Sequence, residues 1–119
     1  MKQISESEML HRAAAYCSAS ERCIQDVEKK IKAAGLAGEE SGRIVSRLLQ
    51  ERFIDESRFA RYFVNDKLRF NKWGRVKINY EMQRKGIPSS IRSEALEGID
   101  EQEYRSILLS LLKSKKKVT

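Results

Sequence analysis

The chain has 119 residues, of which 40% are apolar and 34% charged, with 24 Lys and Arg against 17 Asp and Glu and a formal net charge of +7. That length suits one compact domain or a few stacked small units. No apolar run approaches the roughly 18 residues of a membrane span, and Met1-Lys2-Gln3-Ile4 lacks the apolar core of a secretory leader, so a cytoplasmic protein is expected.

One proline and six glycines point to long regular elements with few sharp turns. Along the chain, Leu10, Ala13, Ala14 and Cys17 form a weak helical stripe, and Ile24, Val27 and Ile31 a second. Ile44, Val45, Leu48 and Leu49 make a third, and Phe59, Ala60, Phe63, Val64 and Leu68 a fourth. Val76, Ile78, Tyr80 and Met82 alternate with polar residues as a strand would. A lone strand has no partner for its backbone groups, and the same residues give the pairs Val76–Tyr80 and Ile78–Met82, so helix is preferred. Tyr104, Leu108, Leu111 and Leu112 make the last stripe.

Helix signals agree. Ser18-Ala-Ser-Glu21 and Asp100-Glu-Gln-Glu103 read as capping boxes, Asp55 as a cap, and Ser89 or Ser90 as another. Gly35 and Gly86 suit left-handed helix ends. Helices are expected near 8–17, 20–34, 40–52, 56–71, 74–85, 89–97 and 101–114.

A repeat runs through this pattern. Phe53-Ile54-Asp55-Glu56 is echoed 45 residues later by Gly98-Ile99-Asp100-Glu101, and Ile31 through Leu36 is echoed 51 residues later by Met82 through Ile87. The expected organisation is a first three-helix repeat at 8–55, a second at 56–100, the first helix of an incomplete third at 101–114, and a basic tail at 115–119. The fold class is therefore all-α. A three-helix unit of this size has little interior alone, so neighbours are expected to stack.

Charge is unevenly spread. Residues 1–64 carry a balance of +1, 65–85 of +5, 86–112 of −3, and 113–119 of +4. Clustered cations suit a polyanion, since each one near a phosphate releases a condensed counterion. The candidate binding residues are Lys67, Arg69, Lys72, Trp73, Arg75 and Lys77, joined by Arg84 and Lys85. Arg75 and Lys77 open a helix whose first N–H groups also attract anions. Trp73 fits base stacking and a core position equally. Arg84 and Lys85 lean to a structural role, complementing the dipole at a helix end. The tail reads as a solvated end, and Arg58 as either the partner of a nearby acid or a recognition residue.

Catalysis finds no support. His11 is the single histidine and has no nucleophile or carboxylate beside it, and no glycine-rich phosphate loop occurs. Cys17 and Cys23 with one histidine fall short of a zinc set and read as buried thiols, so neither metal nor cofactor is expected.

The runs Phe53-Ile54-Asp55-Glu56-Ser57-Arg58-Phe59-Ala60, Lys72-Trp73-Gly74-Arg75-Val76-Lys77-Ile78 and Arg84-Lys85-Gly86-Ile87 resemble the central region of the RecX regulatory proteins. With the helical pattern, the resemblance covers roughly residues 10–112. It implies tandem three-helix units in an elongated, curved array. It also implies binding in the groove of RecA-type recombinase filaments on DNA, with inhibition of ATP hydrolysis, strand exchange and the co-protease activity of the SOS response. RecX-like proteins usually carry three complete units, whereas the pattern here stops after the first helix of a third. That leaves the leucines of 101–114 short of partners and suggests self-association. The alternative from charge alone is a general helical nucleic-acid-binding module without recombinase specificity.

Overall fold

The computed structural model describes the backbone of residues 4–117 and the side chains of residues 4–112, so the basic tail expected at 115–119 lies outside the side chains described. Every regular element among the described residues is helical. They are α1 (Glu6–Ala19), α2 (Ile24–Ala33), α3 (Gly38–Gln50), α4 (Glu56–Arg69), α5 (Arg75–Arg84), α6 (Ser89–Glu97) and α7 (Glu101–Lys117). Contacts divide the chain into two units between Phe59 and Ala60, within α4.

In the first unit α1, α2 and α3 pack pairwise around Met9, Ala13, Cys17, Val27, Ile31, Leu36, Ile44 and Leu48, with Ile54 closing the cluster. Spacings of three and four bring these side chains to single faces, and burying each of the larger aliphatic ones contributes about 1.5–3 kcal/mol. Met9 takes the inward place that the weak stripe gave to Leu10, which is half-buried. Cys17 and Cys23 are both buried, and burial pushes the Cys17 thiol above its ordinary range.

The helix ends are set by side chains and by left-handed residues. Ser5 caps α1 by accepting the Glu8 amide at 3.1 Å. The expected Ser18–Glu21 box does not form. α1 runs on through Ala19, and the Ser18 hydroxyl bonds back to the Ala14 carbonyl at 2.9 Å. The box starting α2 belongs to Cys23 and Asp26, whose carboxylate accepts the Cys23 amide at 3.3 Å. α2 ends at Gly35 (φ 95°), with the Gly35 amide on the Lys32 carbonyl and the amide of buried Leu36 on Ile31. α3 ends the same way at Arg52 (φ 62°), a residue with a Cβ where glycine is usual.

The second unit repeats the plan. Phe63, Val64, Leu68, Ile78, Met82, Ile87, Ala95, Ile99 and Ile107 are buried, and α5 packs on α6. α5 is a helix despite its strand-like alternation. Ile78 and Met82 are fully buried, while Val76 and Tyr80, the other i, i+4 pair, point outward. α5 ends at Gly86 (φ 80°), with the amide of buried Ile87 on the Met82 carbonyl. Pro88 is the N-cap of α6, so neither Ser89 nor Ser90 caps it. Asp55 caps α4 by accepting the Arg58 amide at 3.0 Å. Asp100 accepts the Gln102 amide at 2.9 Å, but Glu103 turns to Arg69 and does not complete a box. On α7 the buried residue is Ile107, and Leu108, Leu109 and Leu112 are exposed.

Candidate nucleic-acid interface

The eight residues singled out by charge lie on the end of α4, the turn after it, and α5. α4 stops at Arg69, and the chain reverses with Lys72 at φ 58°, where the Trp73 amide reaches back to the Lys67 carbonyl at 3.1 Å. A left-handed lysine costs about 1 kcal/mol or more relative to glycine. Gly74 then precedes α5, whose outward stripe at i, i+4 and i+8 is Val76, Tyr80 and Arg84, with Lys77 beside it.

The seven cations among the eight do not form one open set. Lys67 sits 3.7 Å from Asp66, and its ammonium lies over the rings of Phe63 and Trp73. Arg69 donates to both oxygens of Glu103 at 2.6 and 3.3 Å. Arg75 donates to Glu101, and its guanidinium stacks 4.1 Å from the centre of the Tyr104 ring. Arg84 reaches Glu81 at 3.5 Å and lies 6.0 Å from the Tyr80 ring. Lys85 is half-buried at the C-cap of α5, beside the helix-terminal carbonyls that cations complement.

Lys72 and Lys77 are different. Both are exposed, and among the described residues neither has a carboxylate within ion-pair distance. Trp73 is half-buried with its edge toward Phe63, ring centres 6.3 Å apart, and Lys77 lies 4.5 Å from its centre. One tryptophan thus packs on the core and draws Lys67 and Lys77 by cation–π attraction.

The anion-attracting start of α5 is also engaged. The Arg75 amide donates to the Tyr104 hydroxyl at 3.2 Å, and a Cβ on Gly74 would come within 3.4 Å of that oxygen. Three apolar side chains beside the cations escaped the sequence reading. Phe70 and Val76 are 79% and 85% exposed, and Tyr80 is about half exposed. Phe70 follows the end of α4, off its buried stripe, whereas Val76–Tyr80 and Ile78–Met82 are equivalent pairs by spacing and only packing decides which faces in.

No helix among the described residues is long and apolar enough to cross a membrane, and none of their His, Cys, Asp and Glu side chains group as a metal site.

Residues 55–96, which contain all eight candidates, match the model of the second three-helix domain of RecX. The regulatory protein RecX of Prosthecochloris aestuarii is 33% identical over 91 residues, covering 76% of this chain and 60% of that protein. That of Lactobacillus johnsonii is 26% identical over 113 residues, covering 95% of this chain and 42% of that protein. The chain thus spans about half the length of these relatives. The crystal structure of RecX from Lactobacillus salivarius superposes with a TM-score of 0.81 over 92% of this chain and 71% of that one, at 20% identity, a likeness of fold. Domain match, relatives and fold agree, and the chain belongs to the RecX family of regulatory proteins.

Proposed function

We propose that this chain binds recombinase filaments of the RecA type on DNA in the cytoplasm and lowers their ATPase, strand-exchange and co-protease activities, acting by binding and not by catalysis. The observation that carries this reading is the outward face of α5 and the turn before it. Lys72 and Lys77 stand there without carboxylate partners among the described residues, next to exposed Phe70, Val76 and Tyr80, inside the segment that matches the RecX domain. Cations supply attraction to phosphate or acidic protein, and large apolar side chains supply the desolvated anchors that tight recognition needs. A lysine held in glycine's backbone region adds support, because strain of this kind concentrates at functional positions.

In this proposal Lys72, Lys77 and Trp73 make the first contacts, Arg84 and Lys85 extend the face, and Lys67, Arg69 and Arg75 stand behind it. Recombinase on single-stranded DNA tests it through ATP turnover. A several-fold excess of this chain over filament sites should slow hydrolysis, and Lys72→Glu/Lys77→Glu should relieve the effect. Undiminished turnover with the unaltered chain would refute it. The second reading, a general nucleic-acid module, is favoured by the mix of lysines and aromatics, which also suits base stacking. It predicts bare-strand affinity equal to filament affinity. Tight filament binding with weak bare-strand binding excludes it.

A further inference from the structure

The first turn of α7 supplies to α4 and α5 what a nucleic-acid backbone would otherwise supply. Glu101 takes the guanidinium of Arg75, and Glu103 takes two nitrogens of Arg69. Tyr104 lies against Arg75 and its hydroxyl accepts the Arg75 amide at the start of α5. Two arginines and a helix-start amide are three groups a phosphate chain would seek. One turn of helix satisfies all of them.

The repeat separates architecture from charge. Forty-five residues before Glu101, Glu56 accepts the Ile24 amide at 3.4 Å, at the start of α2. A carboxylate on the second helix of a unit is therefore part of the plan in both. At α2 that first residue is Ile24, and at α5 it is Arg75. The carboxylate of the first unit caps a helix, whereas that of the second covers a cation and leaves the helix-start amide to the Tyr104 hydroxyl.

We infer that Glu101, Glu103 and Tyr104 form a built-in competitor that withholds Arg69 and Arg75 from the polyanion bound by the α5 face, and so set its affinity. The inference deepens the filament-binding reading and rests on it. In each pair one partner is well exposed, Arg69 at 57% and Glu101 at 66%, and the other stands at 35%, so water reaches both pairs and they can exchange. A densely charged phosphate chain can displace them, whereas a lone carboxylate cannot. Lys72 and Lys77 make the first contact, and the arginines join where charge density is high enough to compete.

The test measures binding of the whole chain to a labelled single strand of about 20 nucleotides, long enough for one unit, across a salt series. Glu101→Gln/Glu103→Gln should bind roughly three- to tenfold tighter, with a salt slope steeper by about 1.4 as two further phosphates are neutralised. Glu8→Gln/Glu39→Gln changes net charge equally at two exposed acids of the first unit, neither paired with Arg69 or Arg75, and should give a smaller gain at unchanged slope. Tyr104→Phe keeps the ring, loses the hydroxyl on the Arg75 amide, and should give a gain below twofold, so the idea survives testing if the double variant melts early. Equal gains from the two glutamine pairs, or an unchanged slope in the first, would overturn the inference. So would failure of both the unaltered chain and Glu101→Gln/Glu103→Gln to bind the strand. Loss of filament inhibition, read separately as ATP turnover, would overturn the underlying reading instead.

Discussion

Near the turn before its second helix, each unit carries an ion pair to the helix that follows, and the two pairs have opposite polarity. In the first, Arg58 on α4 donates to Glu21 in the turn before α2, at 2.8 Å to one oxygen, and also to the carbonyls of Arg52 and Phe53. In the second, Glu103 on α7, 45 residues after Arg58, accepts from Arg69 at the end of α4. The cation thus moves from the following helix onto the unit itself, and the acid moves the other way. One architecture therefore yields a half-buried structural clamp in the first unit and a basic face with acids beside it in the second. The net charges of +5 over 65–85 and −3 over 86–112 are the sequence trace of that exchange.

The buried positions test whether the repeat is structural as well as textual. Ile31 on α2 and Met82 on α5 are partners at an offset of 51, and both are fully buried. Replacing either by alanine leaves a cavity and should cost about 2–5 kcal/mol, with Met82 toward the low end because an unbranched, adaptable methionine is less tightly fitted to its site than a branched isoleucine. Urea denaturation followed by circular dichroism measures both. A loss below 1 kcal/mol at one site, with the other in range, would break the equivalence.

The second contrast concerns charge. Lys72→Glu/Lys77→Glu should weaken binding to single-stranded DNA roughly ten- to a hundredfold and flatten the salt slope by about 1.4. Lys29→Glu/Lys32→Glu puts the same change on exposed positions of α2 and should cost much less. Equal losses measured by fluorescence anisotropy would mean that net charge alone drives binding.

A third prediction sharpens the clamp comparison. Arg58→Ala removes a bond shared from one nitrogen to both oxygens of Glu21 and two bonds to carbonyls of the turn after α3, and should cost about 1–2 kcal/mol. Glu103→Ala breaks a solvated pair and should cost less than about 1 kcal/mol. Thermal melts that reverse this order would show that the second unit depends more heavily on its ion pair.

Helix positions were largely legible because local spacing sets them. Phe59, Ala60, Phe63, Val64 and Leu68 are buried as their stripe predicts, and Gly35 and Gly86 take left-handed conformations. Local signals failed where two motifs competed within a few residues. Ser18-Ala-Ser-Glu21 has the letters of a capping box, but Cys23 and Asp26 make one, and Glu21 serves Arg58 instead. The inward line of α7 is displaced by one position, because leucines 108, 109, 111 and 112 spread over a broad arc of about 160° and the buried Ile107 lies at its edge. The engagement of Arg69 and Arg75 was not legible in single motifs, since their partners lie 34 and 26 residues away. Only the repeat offset, joined to the sign change between 65–85 and 86–112, pointed to it.

The smallest predicted effect concerns Glu56, which holds the start of α2. Its carboxyl is pushed above its ordinary range, first by burial and then by the nearby charges of Glu28 and Asp26, while the Ile24 amide pulls the other way. A carboxyl raised in the folded state binds its proton more tightly there than in the unfolded chain. Its contribution to stability therefore grows as pH falls through the window between the ordinary value and the raised one, and is absent at neutral pH. Glu6, held below its ordinary range chiefly by its bond to Arg43, acts in the opposite sense as pH falls. Glu56→Gln keeps an oxygen for the Ile24 amide and removes the titration. It should be neutral to slightly stabilising at pH 7, by a few tenths of a kcal/mol, and should lose that advantage in mild acid. Urea midpoints of both proteins from pH 7 to pH 4 measure the difference. A variant that gains on the unaltered chain as the pH drops would mean that the ionised carboxylate, and not the protonated acid, is the form the fold favours at the start of α2.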